Sequence, residues 1–504
     1  MLNTPAILTT IELFKELHGS PAYARGSSPA VAPNNVFDDP AIVDFNISGE
    51  ADRLPKFGLS RQHVHAIASD DPAFEAELRR QLLGEEFIVP KPGTLVDANA
   101  LEALTSSGIR YLPYIETILA SGHFLTICPA SGRPLKSNGS FVVDSHHIAY
   151  RFSGDVTFYL LVGRFHGRRA ALCVPSHNLL VTLDVPERGP EISRWVANIM
   201  RRFIAYSLAE SARFRTRLDT NSHDMTVAIG GMQNFGHHIW QELSGITQLL
   251  MPDRLSRVRG VLVGPHTWFR LDRVFPELSG IPVTTCANSE EMLVNGFSQP
   301  GTILRPVGVQ ITANLRSRLR RAAVVVLGPD EVRRICQAGA DRRLIWINLR
   351  AHNKMWLTQV EGYSAILNAL QSEFGDIGVV YDGWTDTAPI RDEIDQRLRP
   401  DIIRHDTIGT SIESSLIWAD SVTTYISVVG SGLVLNSWLV HKPGMAHANR
   451  AHLNQGMFWN NVSQGMTPTR FIDAANVTCD GTLYGSYDFD WHLLIPKLRQ
   501  ILAA

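Results

Sequence analysis

From Met225 onward the sequence alternates between short strand-like segments and segments with helical spacing. LIWINLR (344–350) is an apolar run of the strand type, and EGYSAILNALQSEF (361–374) follows with its apolar residues on one helical face. The same pair recurs in IGVVYDG (377–383) and APIRDEIDQRL (388–398). Because parallel strands need a crossover connection, usually a helix, this alternation predicts an open parallel sheet with helices on its faces.

The alternation falls into two series, which predict two Rossmann-like domains. The first series, residues 221–338, opens with the strand-like MTVAIGG (225–231) and the helical NFGHHIWQELSGITQLL (234–250). The second series, residues 339–504, contains four successive strand-then-helix units. Such a succession is what a doubly wound nucleotide-binding sheet requires.

Residues 1–220 show a different pattern. Between about 100 and 190, short β-type runs are separated by turn sequences such as SGRP, SNGS and SGD, which favours antiparallel hairpins. Residues 20–60 are rich in Pro, Ala, Ser and Asn and predict an irregular lead-in. The predicted fold class is therefore α/β, with two Rossmann-like domains preceded by an N-terminal β-rich α+β region.

Composition argues against several classes of protein. Lys and Arg number 47 against 49 Asp and Glu, and the net charge of −2 argues against a nucleic-acid partner, whose binding needs clustered cations. The five cysteines form no C-x-x-C pair, which argues against a zinc knuckle or a redox dithiol. No apolar run reaches about 18 residues, and the N-terminus lacks the basic start of a signal peptide. We therefore expect a cytoplasmic protein with no integral membrane segment.

The segment VVGSGLVLNSWLVHKPGMA (428–446) is the most informative motif. A strand ends, Gly430, Ser431 and Gly432 make a turn, and a helix begins at once. The first-turn amides of a helix carry partial positive charge and suit a phosphate or diphosphate, and glycine lets a ligand approach the backbone closely. The plainer interpretation is that the glycines serve packing alone, as they do in many strand-to-helix turns.

Two α/β series in tandem, with a Gly-rich turn, a helix and a KPG-containing strand near the end of the second, resemble the two-Rossmann-domain (GT-B type) glycosyltransferases. The resemblance covers roughly residues 225–504 and is one of architecture. It implies a nucleotide-sugar donor in the second domain, with the Gly-rich turn facing its diphosphate, and no cofactor beyond this co-substrate. The sequence differs from that class in its N-terminal part, where about 220 residues precede the first Rossmann-like unit and leave room for an additional domain.

The resemblance assigns donor-binding roles to three charged residues. Arg350 and Lys354 follow the first strand of the second domain, where the resemblance implies cations that neutralise the leaving diphosphate. Glu413 lies on the helix opened by Thr410 and Ser411, and the resemblance implies that its carboxylate accepts hydrogen bonds from ribose hydroxyls. The alternatives are a solvated loop for the two cations and a carboxylate that complements the helix dipole for Glu413.

His237 and His238 are the candidates for catalysis. They lie at the start of the first helix of the first domain, and a neutral imidazole there could take the proton of the acceptor hydroxyl. Adjacent side chains on a helix diverge by about 100°. One of the two would therefore be the base, while the other packs against it or orients it. The alternative is that both histidines are packing or capping groups.

Four other histidines have weaker claims to a function. His146 and His147 lie in a β-type run, and because strand neighbours point to opposite faces, we predict structural roles for both. His447 and His452 flank the end of the Gly-rich segment and are candidates for contacting the sugar.

No metal is needed on this interpretation, because fixed cations would replace Mg²⁺. The D-x-D match at Asp488 and Asp490 lies near the C-terminus, outside a strand-and-loop context. The predicted function is transfer of a sugar from a nucleotide sugar to a hydroxyl of a glycan, lipid-linked or protein acceptor. The alternatives are a non-catalytic binding protein on the same fold, a transferase of another activated group, and a nicotinamide dehydrogenase, whose G-x-G-x-x-G fingerprint the sequence does not match in full.

Overall fold

The computed structural model describes residues 12–19, 37, 39–69, 71–85, 113–163, 168–183, 189–219, 223–250 and 252–503. The predicted β-rich part therefore begins outside the described residues, since 100–112 are not among them. No helix in the described ranges is both long enough and apolar enough to cross a bilayer.

The N-terminal region is built on a six-stranded sheet in the order β1-β8-β7-β6-β5-β4. Its strands are β1 (Ala41–Asp44), β4 (Gly139–Val142), β5 (His147–Ser153), β6 (Thr157–Gly163), β7 (Arg168–Val174) and β8 (Leu179–Thr182), and a separate hairpin joins β2 (Leu125–Ile127) to β3 (Pro134–Lys136). Strands β4 to β8 are antiparallel, as the turn sequences predict.

One expectation for this region is wrong. Residues 20–60 were expected to be irregular, but β1 adds to the edge of the sheet, with Ala41 opposite Leu179 in a parallel pairing. The four-residue run AIVD is too short to stand out from its Pro- and Ala-rich surroundings. It is a strand because β8 supplies the hydrogen-bonding partner, which local sequence does not reveal.

Helices and 3-10 turns cover both faces of the N-terminal sheet. The helices are α1 (Arg61–Ala68), α2 (Pro72–Leu83), α3 (Pro113–Ser121), α4 (Gly189–Ala209) and α5 (Ser211–Asp219), and 3-10 turns occupy Glu50–Phe57 and Pro175–His177. Because both faces are covered, β5, β6 and β7 are buried almost throughout. β6 is accordingly a nearly continuous apolar run, whereas β5 and β7 include the buried Arg151 and Arg169, whose guanidinium groups donate to backbone oxygens.

The first Rossmann-like sheet has four parallel strands in the order β11-β10-β9-β12. The strands are β9 (Met225–Ile229), β10 (Val258–Val263), β11 (Val283–Thr285) and β12 (Thr302–Leu304). The chain from β9 to Asp341 also forms helices α6 (Phe235–His237), α7 (Ser244–Thr247), α8 (Pro252–Leu255), α9 (Leu271–Val274), α10 (Ser289–Gly296), α11 (Ala313–Leu327) and α12 (Pro329–Asp341), with a 3-10 turn at Pro276–Leu278.

The second Rossmann-like sheet has six parallel strands in the order β15-β14-β13-β16-β17-β18. They are β13 (Arg343–Asn348), β14 (Ile377–Asp382), β15 (Ile403–Asp406), β16 (Thr424–Val428), β17 (Gly444–His447) and β18 (Arg470–Phe471). Counted from β13, this is the order 3-2-1-4-5-6 of dinucleotide-binding folds. The predicted fold class is thereby confirmed, while the domain limits stay predictions.

The second domain also contains helices α13 (Gln359–Phe374), α14 (Ala388–Arg397), α15 (Ile412–Ser421), α16 (Ser431–Leu433), α17 (Arg450–Leu453), α18 (Gly456–Trp459) and α19 (Ile495–Leu502). Short 3-10 turns lie at Thr385–Thr387, Ala474–Asn476 and Trp491–Leu493, and a hairpin joins β19 (Thr478–Cys479) to β20 (Tyr487–Asp488).

One helix in each Rossmann-like domain begins at the cleft and contains a π-helical turn. The first cleft helix, residues 235–247, consists of α6, a π-helix at His238–Leu243, and α7. The second cleft helix, residues 431–439, consists of α16 and a π-helix at Val434–Leu439. They meet at Gly236, where an added Cβ would lie 3.2 Å from Val434 Cγ2. Glycine at this point lets the two helices approach each other closely.

A loop of the N-terminal region docks beside the carboxyl ends of β9 and β12. Arg305 donates a 2.6 Å hydrogen bond to the backbone oxygen of His146 and forms a 3.1 Å ion pair with buried Glu242. A Cβ on Gly231 would lie 1.9 Å from the backbone oxygen of Ser145. Only about 10 Å³ of cavity remains between this loop and the strands. The loop therefore fills the space beside the first sheet.

Buried Arg217 on α5 joins the N-terminal region to the first Rossmann-like domain. Its Nε donates to the Ser140 backbone oxygen at 2.9 Å, and its Nη2 donates to the Gly301 oxygen at 2.6 Å. Ser140 Oγ in turn accepts a 2.7 Å bond from the N–H of Ile303. Burial lowers the pKa of Arg217 to about 10, which still leaves the guanidinium charged at neutral pH.

We expect Arg217→Met to lower the free energy of unfolding by about 3 kcal/mol, since it leaves buried carbonyl oxygens without donors. Arg215→Met, on the same helix, is the matched control, because its exposed ion pair with Glu16 contributes little. Urea unfolding of both variants measures the difference. Equal stabilities would show that Arg217 does not hold the two regions together.

Candidate functional site

The carboxyl ends of β13 and β16 are adjacent in the second sheet, at the point where the strand order reverses. Open α/β sheets bind ligands in the crevice at this point. The chain leaving β13 carries Arg350 and Lys354, and the chain leaving β16 makes the turn Gly430, Ser431 and Gly432. The structure thus brings together five of the six predicted donor-binding residues.

Both glycines of the turn are required by its geometry. Gly430 has φ of 143°, a backbone conformation that side-chain-bearing residues rarely adopt. A Cβ on Gly432 would lie 2.2 Å from Asn348 Oδ1, so this position has no room for a side chain. Close packing accounts for Gly432, while Gly430 is required by its backbone conformation and lies against two cations.

Arg350 and Lys354 converge on Gly430. A Cβ at Gly430 would lie 3.2 Å from Lys354 Nζ and 3.8 Å from Arg350 Nη2. Neither cation forms a salt bridge with a described residue, and Arg350 Nε is buried without a hydrogen-bond partner. Burial lowers the pKa of both groups, and the nearby Arg350 charge contributes to a Lys354 pKa of about 8. An anion here would satisfy both cations.

The backbone around these cations is held in place. The Gln359 side chain accepts from the N–H of Arg350 at 3.2 Å and donates to its carbonyl oxygen at 2.8 Å. Lys354 has a positive φ of 52°, and its N–H donates to the Tyr484 carbonyl oxygen at 3.0 Å. Its ammonium lies 5.6 Å from the Tyr484 ring centroid. Such a conformation persists only where surrounding contacts fix it.

Two pockets meet at the Gly-rich turn and share Ser431. The carboxylate pocket has a volume of about 620 Å³. Its lining includes acidic, hydroxyl and aromatic side chains: Asp382, Glu413, Thr407, Thr410, Trp268 and Trp384. The aromatic pocket has a volume of about 550 Å³, and its lining includes His237, Trp240, Lys354, Trp438, Phe458 and Tyr484. Both pockets are lined by residues of both Rossmann-like domains.

Asp382 lines the site, although the sequence analysis assigns it no role. It ends β14, lines the carboxylate pocket, and accepts a 2.6 Å hydrogen bond from Asn348 Nδ2. Burial raises its pKa to about 6, against the opposing effects of Asn348 and Arg350. Its place at the carboxyl end of a predicted parallel strand was the signal that could have identified it.

Glu413 also lines the carboxylate pocket. It lies in the first turn of α15, whose N-cap Ser411 accepts from the N–H of Ser414. The Glu413 carboxylate has no hydrogen-bond or ion-pair partner among the described residues. It is therefore placed to accept hydrogen bonds from a ligand, in addition to complementing the dipole of α15.

The structure separates the two catalytic candidates. His237 lines the aromatic pocket and stacks at a tilt on Trp240, with 5.6 Å between ring centroids. His238 is fully buried, and its Nδ1 lies 2.8 Å from Glu242 Oε2. Glu242 also accepts from the N–H of Gly230 and pairs with Arg305. His238 thus belongs to an internal network outside the lining of either cleft pocket, and as a catalytic candidate it is a poor fit.

The remaining candidates are held by other contacts. His447 is buried between the hydroxyls of Tyr363 and Tyr487, so a sugar contact by His447 is contradicted. His452 lines the aromatic pocket, and burial together with the Lys354 charge lowers its pKa to about 4. His352 lies outside both pockets and pairs with Asp386 at 2.8 Å.

His147, as predicted for a structural group, is buried and paired with Asp144 at 3.0 Å, and His146 contacts the sulfur of Met232 at 3.2 Å. The Asp488 carboxylate accepts from Trp356 Nε1 and Thr358 Oγ1. Within the described part of the chain, no three His, Cys, Asp or Glu side chains cluster as a metal site would require.

No family model and no curated protein matches the chain. Similar solved structures include the ADP-heptose LPS heptosyltransferase II of E. coli (13% identity, TM-score 0.33) and a glycosyl transferase family 9 protein of Veillonella parvula (8% identity, TM-score 0.36). Each alignment covers 56% of this chain and 98% of the other. The MnaA–UDP complex of S. aureus aligns with 40% of this chain and 61% of its own, at 15% identity and a TM-score of 0.22.

The chain resembles GT-B glycosyltransferases in architecture. The strand orders of the two parallel sheets and the cleft between them are those of two Rossmann-like domains in tandem, which is the architecture of that class.

We expect pyrophosphate affinity to fall as the pH rises through about 8, because Lys354 then loses the proton that gives it charge. Lys354→Met should weaken binding about tenfold at pH 7, as expected for a lost charged hydrogen bond, and much less at pH 9.5. The ratio of the two affinities, measured by calorimetry, cancels the titration of the ligand itself. Lys497→Met, outside both pockets, is the control. A ratio independent of pH would contradict this role of Lys354.

Proposed function

We propose that this protein is a glycosyltransferase that moves a sugar from a nucleoside-diphosphate sugar to a hydroxyl acceptor, without a metal ion. The observation that supports it is the meeting of two interdomain pockets at Ser431, beside a Gly-rich turn with two cations. One pocket has carboxylates and hydroxyls, and the other has an imidazole and aromatic rings. A donor would bridge the two, with its diphosphate at the turn.

The carboxylate pocket suits the nucleoside. The Glu413 carboxylate, which has no partner among the described residues, can accept hydrogen bonds from ribose hydroxyls. The hydroxyl groups of Thr407 and Thr410 donate to backbone carbonyls, so their oxygens can accept from the ligand as well. With a pKa of about 6, Asp382 is mostly ionised at neutral pH, so its carboxylate can also accept hydrogen bonds from the ligand. Together these groups match a polyol next to an anion.

The cations and the turn suit the diphosphate. As the bond between the sugar and the diphosphate breaks, negative charge grows on the leaving oxygen. Arg350 and Lys354, preorganised by Gln359 and by the Tyr484 carbonyl, would stabilise that charge. Neither forms an ion pair with a described residue, although Asp382 lies near enough to Arg350 to favour its charge, so most of the positive charge is available to the leaving group. This is the role that a divalent cation would otherwise fill.

The aromatic pocket suits the sugar and the acceptor. His237 lines it from the first domain, while Lys354 and Gly430 line it from the second. In the proposed reaction the acceptor oxygen attacks the anomeric carbon, the bond to the diphosphate breaks, and the imidazole of His237 takes the hydroxyl proton. The base and the leaving group would then act from opposite domains on one shared space.

The test of the function is a thermal-shift panel of nucleoside diphosphates, followed by turnover of radiolabelled nucleotide sugars with and without EDTA. A nucleotide at 100 times its dissociation constant should stabilise the protein by about 2.7 kcal/mol, and turnover should survive EDTA. The absence of any shift at millimolar nucleotide would contradict the donor site. Binding without turnover would favour a non-catalytic binding protein, and loss of turnover in EDTA would contradict the metal-free mechanism.

The adjacent histidines provide a matched pair of variants. His237→Ala should reduce the single-turnover rate by about 10²–10⁴ while donor affinity and thermal stability stay near wild type. His238→Ala should instead lower the free energy of unfolding by about 2 kcal/mol, because it leaves buried Glu242 without one of its partners. Near-normal rates in His237→Ala would assign the base to another residue.

A further inference from the structure

Two tryptophans from different domains meet at the carboxylate pocket. Trp268 follows β10 in the first domain, Trp384 follows β14 in the second, and both line the pocket. Their ring centroids are 5.9 Å apart at an interplanar angle of 57°. β10 and β14 are each the second strand of their sheet, so the two loops occupy equivalent positions on opposite sides of the cleft.

Neither ring is accounted for by packing alone. Trp384 is 59% exposed, although the exposure of so large an aromatic surface is unfavourable. Trp268 has its indole N–H buried without a hydrogen-bond partner among the described residues. A buried donor without a partner and an exposed aromatic face, side by side in one pocket, point to a ligand that supplies a flat apolar surface and a hydrogen-bond acceptor.

The rest of the pocket narrows the chemistry of that ligand. Glu413 and the threonine hydroxyls suit a polyol, and the turn at Ser431 suits an anion. Trp268 and Trp384 then suit a planar ring that is joined to the polyol. The aromatic pocket does not offer the same combination, because its described lining contains no carboxylate.

We propose that Trp268 and Trp384 form the nucleobase subsite of the donor, so that the first domain, and not the second alone, binds the nucleotide. This inference rests on the proposed function. The base packs on the tryptophan wall, and the Trp268 indole N–H donates to an acceptor atom of the base. Trp268 is therefore a binding residue contributed by the domain that also carries His237.

A direct line of ring contacts joins this subsite to the first cleft helix. Trp268 packs edge-on against buried Phe235, with 5.3 Å between ring centroids. Phe235 is the first residue of α6, the element that also contains His237. A base on Trp268 thus rests on the same rigid element that places the imidazole in the neighbouring pocket.

The test uses calorimetry on the full chain with two probes, a nucleoside diphosphate that binds the wild type and inorganic pyrophosphate. Trp268→Leu should weaken nucleoside-diphosphate binding about tenfold or more, as expected for lost base–aromatic stacking, and leave pyrophosphate affinity unchanged. Trp268→Phe should restore most of the affinity. Trp491→Leu, a tryptophan outside both cleft pockets, is the control, and thermal unfolding checks that each variant folds.

The outcomes separate the two proposals. Unchanged nucleoside-diphosphate affinity in Trp268→Leu, with clear binding by the wild type, would overturn the subsite and leave the proposed function standing. An equal loss for both probes would also overturn it, because Trp268 would then act through the anion site. If no nucleoside diphosphate binds the wild type, the proposed function itself fails.

Discussion

The cleft depends on the order of the strands in the second sheet. β13 and β16 lie side by side, and the chain continues from β13 to β14 on one side and from β16 to β17 on the other, so the two connections leave in opposite directions. Neither connection crosses the crevice between the two strand ends, so the crevice stays open. Arg350 and the Gly-rich turn lie on its two sides because β13 and β16 end there. Both pockets open from this point, so the whole candidate site follows from one reversal in strand order.

The electrostatics of the crevice are those of a site that lacks its counter-ion. Two cations converge on Gly430, neither forms an ion pair with a described residue, and burial shifts both of their pKa values downward against the weaker opposing effect of Asp382 on Arg350. This arrangement costs stability in the free protein, since a buried positive charge is compensated only in part by its surroundings. An anion bound between the two cations would offset that cost. The burial of two positive charges therefore both destabilises the free protein and favours binding of an anion.

The sequence predicted the parts of the molecule that local periodicity and turn chemistry determine. The strands and helices of both Rossmann-like domains follow the apolar pattern, and the Gly-rich turn lies where its residues indicate. Long-range contacts were not accessible in this way. The π-helical turn and the Glu242 network decide which of His237 and His238 faces the cleft, and both depend on residues distant in sequence or on backbone detail. Trp268 is a site residue only because the second domain lies opposite.

The two parallel sheets are built alike, yet the docked loop beside Gly231 makes them unequal. In the second sheet the crevice between the first and fourth strands is open, whereas in the first sheet Ser145 and His146 occupy the corresponding place, fixed by Arg305. A loop of the N-terminal region thus fills the crevice of the first sheet that corresponds to the open crevice of the second. The likeness of the two sheets is thereby broken: in the described part of the chain, this crevice admits a ligand in the second sheet, while in the first sheet the docked loop excludes one.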